Sequence, residues 1–213
     1  MNTTKIRLVC IIATLSISVQ LNAAQLYVVN GNTSATEPYD TKDNAAATIQ
    51  DAINYASDGD EIIVAASSDQ YAPFTLSKAI TVRGETGNFN DVVVGGAANN
   101  ANTITITSSG ALLSGITSSG GLRCIYNSGG GTIQNCRAYN GNPGVTKDGS
   151  GHGIYNNNGT VIDTVIDGCR SSDHFAGVGY YQTGASALGE RLVITNNFSN
   201  QIHSNWSDDN GNY

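Results

Sequence analysis

Residues Cys124 to Asn140, CIYNSGGGTIQNCRAYN, recur along the chain, and that recurrence limits what the chain can fold into. Moved forward by 29 residues without a gap, the stretch lands on Gly153 to Cys169, GIYNNNGTVIDTVIDGC. Ile125-Tyr126-Asn127 then falls on Ile154-Tyr155-Asn156, Gly130 on Gly159 and Ile133 on Ile162. A further step of 26 puts Gly153-Ile154-Tyr155 on Gly179-Tyr180-Tyr181 and Ile162 on Leu188. A backward step of 20 puts Tyr126, Ile133 and Cys136 on Ile106, Leu113 and Ile116. A unit this short cannot bury its own apolar face, but stacked copies can. A solenoid is predicted.

Composition agrees with many short elements joined by tight corners. Of 213 residues, 25 are Gly and 24 are Asn, the two types that best tolerate a left-handed backbone. Charged residues make up only 13% and hydrophobic ones 39%, which argues against disorder. The first strand is predicted at Leu26–Val29. A helix is predicted from about Ala45 to Ala56, capped by Asp43 or Asn44, with Ile49, Ala52, Ile53 and Ala56 on one face. Gly59 suits its left-handed end. Beyond it, β-branched runs such as Glu61–Ala65, Phe74–Leu76, Ala79–Val82, Asp91–Val94 and Thr103–Thr107 read as strands.

Residues 1–24 read as an export signal: Lys5 and Arg7, an apolar run from Leu8 to Val19, and the small-residue site Leu21-Asn22-Ala23. That run is too short to span a bilayer. The expectation is a secreted or cell-surface protein, periplasmic or extracellular, with no transmembrane span in the mature chain. Without the signal, 8 Lys and Arg face 17 Asp and Glu, a net charge of −9. Such acidity disfavours nucleic acid and anionic membranes as partners. Three cysteines remain, Cys124, Cys136 and Cys169, so at least one is a free thiol. Cys136 aligns with Ile116 and Val165 and is expected in the core. A disulfide between two of the three stays open.

Thr48-Ile49-Gln50-Asp51-Ala52-Ile53, Asp58-Gly59-Asp60-Glu61-Ile62-Ile63-Val64 and Phe74 through Gly84 together resemble the N-terminal cap and first coil of the pectate-lyase-like right-handed parallel β-helix superfamily. The later GIYN-type units are similar to that superfamily's β-helix repeats. The resemblance covers the whole mature chain. It implies an all-β fold: a right-handed, single-stranded parallel β-helix with an N-terminal capping helix. Residues 25–78 would then hold the first strand, the helix and the first coil, and 79–213 about five repeats. It does not fix an activity, because lyases, hydrolases, esterases, adhesins and phage spikes share the fold. The catalytic signatures of its enzyme families are missing, apart from Gly151-His152-Gly153, which matches a triplet of polygalacturonases. The simpler reading of that triplet is a turn residue flanked by glycines.

Candidate site residues follow from the unequal spacers between units, at 141–152, 170–178 and about 197–209. Insertions at one corner of successive coils project from one side, often a binding side. All three histidines, His152, His174 and His203, fall there, as do Asp148, Asp173, Asp208, Asp209 and the sole tryptophan, Trp206. Asp148, His152, Asp173, His174, His203 and Trp206 form the candidate binding set, since a tryptophan face can stack on a sugar ring. His152, Asp173 and His174 are the candidate catalytic groups, as acid or base. No cofactor is expected, but calcium is possible, with Asp148, Asp173, Asp208 and Asp209 as candidate ligands. Asn127, Asn156 and Asn157 read as a structural ladder. Tyr126, Tyr155 and Tyr181 read as a stack in or near the core, with an exposed, polysaccharide-gripping ladder as the alternative.

The leading functional expectation is an exported, non-catalytic module contacting polysaccharide or a cell-surface partner. The alternatives are a lyase or hydrolase acting on uronate-type polysaccharide, and a structural spacer or adhesin.

Overall fold

The computed structural model describes residues 23–98, 100–141, 151–169, 178–197 and 202–204, with residues 203 and 204 by their main chain alone. Residues 1–22, most of the segment 1–24 expected to be an export signal, lie outside this set. The chain opens with β1 (Gln25–Val28), α1 (Ile49–Tyr55), β2 (Glu61–Val64) and β3 (Phe74–Leu76). Strands then come in threes: β4 (Thr81–Gly84), β5 (Val93–Val94) and β6 (Ile104–Ile106); β7 (Leu112–Ser114), β8 (Thr117–Ser119) and β9 (Arg123–Asn127). The later threes are β10 (Thr132–Gln134), β11 (Arg137–Tyr139) and β12 (His152–Asn157); β13 (Thr160–Ile162), β14 (Val165–Asp167) and β15 (Tyr180–Thr183); and β16 (Leu188–Glu190), β17 (Val193–Thr195) and β18 (Ile202–Ser204).

Each member of a triplet joins a different sheet. Sheet A runs β1-β2-β4-β7-β10-β13-β16, sheet B runs β5-β8-β11-β14-β17 and sheet C runs β3-β6-β9-β12-β15-β18. Every pairing between these strands is parallel. The chain thus circles through A, B and C five times between Thr81 and Ser204. This all-β arrangement of three parallel sheets fits a parallel β-helix.

The core is a set of straight rows, one residue per circuit. In sheet A the row is Leu26, Ile62, Val82, Leu113, Ile133 and Val161, each at most 1% exposed. In sheet C, Phe74, Ile104, Ile125, Ile154 and Tyr180 form another. Each isoleucine buried this way stabilises the stack by about 1.5–3 kcal/mol. Cys136 is fully buried beside these rows, as its alignment with Ile116 predicts. Burial pushes its thiol up to about 12.

The corners carry the Gly and Asn of the composition. Gly115, Asn135, Asp163 and Arg191 occupy the same A-to-B corner of successive circuits, all with φ between 49° and 65°. Gly120, Asn140, Gly168 and Asn196 do the same where sheet B is left, with φ from 54° to 79°. One left-handed residue reverses the side-chain phase and turns the chain within two residues.

The gapless alignment is corrected in three places: Leu188 pairs with Thr160 and Ile162 with Glu190, two positions from the expected match, and two further pairings shift by one. Ile133 pairs with Val161, not Ile162, because the turn after Asn156 is one residue shorter than the turn after Asn127. Thr105, not Ile106, pairs with Tyr126. Cys136 consequently lies beside Thr164 rather than Val165, its N–H donating to the threonine hydroxyl at 3.4 Å. The helix is also shorter than predicted. Thr48 caps it, its hydroxyl accepting from the Asp51 N–H at 3.1 Å, while Ala46 pairs with Val28. Gly59 has the expected positive φ, +94°, but lies three residues beyond the C-cap Ala56, and Lys78 Nζ donates to the carbonyls of Asn54 and Ala56 at the helix end. Helix α1 packs its buried Ile49, Ala52 and Ile53 over β1, β2 and β3.

Candidate functional site

Inward and outward residues alternate along the strands of sheet C, and the repeat supplies both kinds. Asn127 and Asn156 point inward and are fully buried. Asn127 Nδ2 donates to Asn156 Oδ1 at 2.9 Å, and Asn156 Nδ2 donates to the Tyr180 hydroxyl at 3.0 Å. Each also bonds the turn that follows it, through the carbonyls of Gly131 and Gly159, both at 2.7 Å. Asn127 and Asn156 therefore form the predicted ladder. Asn157 does not join it: it faces the other way and accepts from the Thr183 hydroxyl.

Tyr126, Tyr155 and Tyr181 are the outward partners. Register places them side by side on β9, β12 and β15, and each is half-buried. The expected row of contacting rings, in or near the core, forms, but on the outer side of the sheet rather than within the core. The rings follow buried Ile125, Ile154 and Tyr180 in sequence, so a strand's period of two sends them outside. Tyr126 meets Tyr155 edge-on with centroids 5.2 Å apart, and Tyr155 stacks on Tyr181 at 4.9 Å. These distances follow the strand spacing of a sheet.

His152 belongs to the same cluster. It is the first residue of β12, not a turn residue, and only 2% exposed. Its ring stacks on Tyr181 at 5.2 Å and lies 6.3 Å from Tyr155. The flanking glycines have structural roles. Gly151 has φ +78°, and a Cβ on Gly153 would lie 2.3 Å from Ile166 Cγ2 and 2.9 Å from Cys169 Sγ. Beside His152 in register is Arg123, whose guanidinium carbon sits 4.8 Å from the centre of the Tyr126 ring and 5.1 Å from that of Tyr155. Cation–π contacts of this kind contribute about 0.5–2 kcal/mol.

Arg123 is the member that the repeat conceals. It lies three residues before Tyr126, as His152 lies three before Tyr155, so the same 29-residue step relates both pairs. That step was the available signal. Burial lowers the pKa of Arg123 from its ordinary value, with Tyr126 and Tyr155 as smaller, opposing influences. A guanidinium remains charged in spite of this.

Of the other candidates, His203 lies on β18 in register with Tyr181, which puts its position next along the tyrosine row. Asp148, Asp173, His174, Trp206, Asp208 and Asp209 lie outside the described residues. The structure therefore brings His152 and the position of His203 to one face of sheet C. Among the described residues, no three His, Cys, Asp or Glu side chains converge to hold a metal ion, and no helix is long and apolar enough to cross a membrane. The cluster offers a strip of ring surface, phenol hydroxyls and one guanidinium, a set suited to binding. Compared with protein-family models, with curated proteins and with solved structures, the chain matches none.

Proposed function

We propose that this chain is an exported binding module, a right-handed parallel β-helix of the pectate-lyase-like kind whose α1 caps the first coil, and that it contacts polysaccharide along the outer face of sheet C. The observation that carries the reading is the row Tyr126-Tyr155-Tyr181, in register on three neighbouring strands. An extended chain laid across successive strands meets an equivalent ring at each step, while hydroxyls on ring edges can bond its own hydroxyls. The resemblance of residues 48–84 to a capped first coil supports the fold, and the apolar run at 8–19 supports export. No chemistry is assigned to the cluster: binding needs only the strip.

Titration calorimetry of the full chain with a panel of neutral and acidic oligosaccharides tests this. Binding without product, weakened about tenfold or more by Tyr155→Ala, is the expected result. A protein that binds no glycan, or one that releases cleaved product, overturns it.

A further inference from the structure

Six Lys and Arg side chains lie among the described residues, and five have a partner that satisfies their charge. Lys42 pairs with Glu85, Arg83 with Glu61, Arg137 with Asp167 and Arg191 with Asp163 and Glu190. Lys78 holds the carbonyls at the end of α1. Arg123 is the exception. Among the described residues no carboxylate pairs with it, and its Nε is buried without a hydrogen-bond partner. Its Nη1 has only the Asn102 amide oxygen, at 3.5 Å.

The surroundings of Arg123 share this bias. The six strands of sheet C contain no Asp and no Glu, whereas sheets A and B carry Glu61, Asp167 and Glu190 on their strands. In a chain of net charge −7, the one fixed charge that the described strands of sheet C carry is therefore positive. Screening confines the influence of acidic residues elsewhere to roughly 8–10 Å at physiological salt. A half-buried guanidinium clamped over two rings is poorly hydrated and already oriented. A bound oxyanion would restore the partner its burial removes.

We infer that Arg123 is a specificity-determining residue that reads an oxyanion, a carboxylate or a sulfate, on a polysaccharide lying along Tyr126, Tyr155 and Tyr181. This rests on the reading of sheet C as a glycan-binding face. It sharpens that reading by requiring the glycan to be anionic although the protein is acidic.

The test compares three probes against the full chain by calorimetry: a neutral glucan oligosaccharide, a uronate oligosaccharide and a sulfated one. The expected result is preference for one or both anionic probes, weakening as sodium chloride rises. Arg123→Gln should lower affinity for the preferred probe about tenfold to a hundredfold, a larger factor than its effect on the neutral probe. Arg123→Lys, which keeps the charge but loses the planar fork, should recover part of the loss. The uronate and sulfate arms identify which oxyanion is read. Matching thermal unfolding of the variants and the parent separates loss of ligand contact from loss of fold. Equal binding of neutral and anionic probes, unaffected by Arg123→Gln, overturns the inference and leaves the glycan-binding reading standing. Absence of binding to all three probes overturns both.

Discussion

The first and the last described parts of the stack are covered to different degrees. At the first, Leu26, Val28, Ile62 and Val64 lie on strands that α1 packs against, and none is more than 1% exposed. At the other, Leu188, Val193 and Ile202 are 49%, 54% and 61% exposed, and Gly189 takes the place that Val161 fills one circuit earlier. Parallel, in-register stacking lets each circuit bury the one before it. A strand's contribution to stability therefore depends on its place in the queue more than on its sequence. Identical substitutions should have unequal effects at the two ends.

The largest contrast is between Ile62→Ala and Val193→Ala. The first opens a cavity beneath a sealed row and should cost about 2–5 kcal/mol by chemical denaturation. The second trims an exposed side chain and should stay within about 0.5 kcal/mol. Equal losses would show that the far end is covered as well as the helix end. Asn127→Ala comes next, at about 1–3 kcal/mol, because it strands the Asn156 oxygen and the Gly131 N–H in the core. Asn127→Leu would not rescue this, since the buried turn keeps its unmet donor.

Thr48→Ala removes the N-cap of α1 and should cost about 1 kcal/mol. Amide exchange would localise the effect. Protection should fall in β1 to β3 while the exposed strands β16 and β17 change little. The smallest effect is electrostatic. Arg83 holds the Glu61 carboxyl below its ordinary value of 4.5, chiefly through their hydrogen bond. This pair's contribution is therefore fully present above that pH and fades as acid takes the carboxylate through its lowered folded-state pKa. Acid titration of thermal stability should be shallower in Arg83→Gln than in the parent. An identical acid limb would assign that limb to other carboxylates.

The repeat was legible because inward positions are filled by one residue type from circuit to circuit. Ile125 and Ile154, Leu113 and Ile133, and Asn127 and Asn156 all announce themselves by identity or near-identity. Turn length was not legible. Ser128 to Gly131 and Asn157 to Gly159 differ by one residue, and a gapless comparison spreads that difference over everything that follows. The outward phase of the tyrosines could have been derived from alternation with the isoleucines before them. Matched aromatic residues invited a core reading instead, because a ring is apolar enough for either side of a strand. The emphasis on histidine-rich spacers found His152 but misplaced it, since His152 is a strand residue in the repeat itself. Arg123 was missed because charge is sparse here and its partner one circuit on is a histidine, not a second arginine.

The left-handed corners at Gly115, Asn135, Asp163 and Arg191 make each circuit a closed module with its own entry and exit. Such a module can be duplicated or deleted whole without disturbing the phase of its neighbours. Each copy would lengthen the tyrosine strip by one strand spacing, about 4.8 Å. If sheet C binds glycan as proposed, the length of partner contacted would scale with how many times the chain goes round.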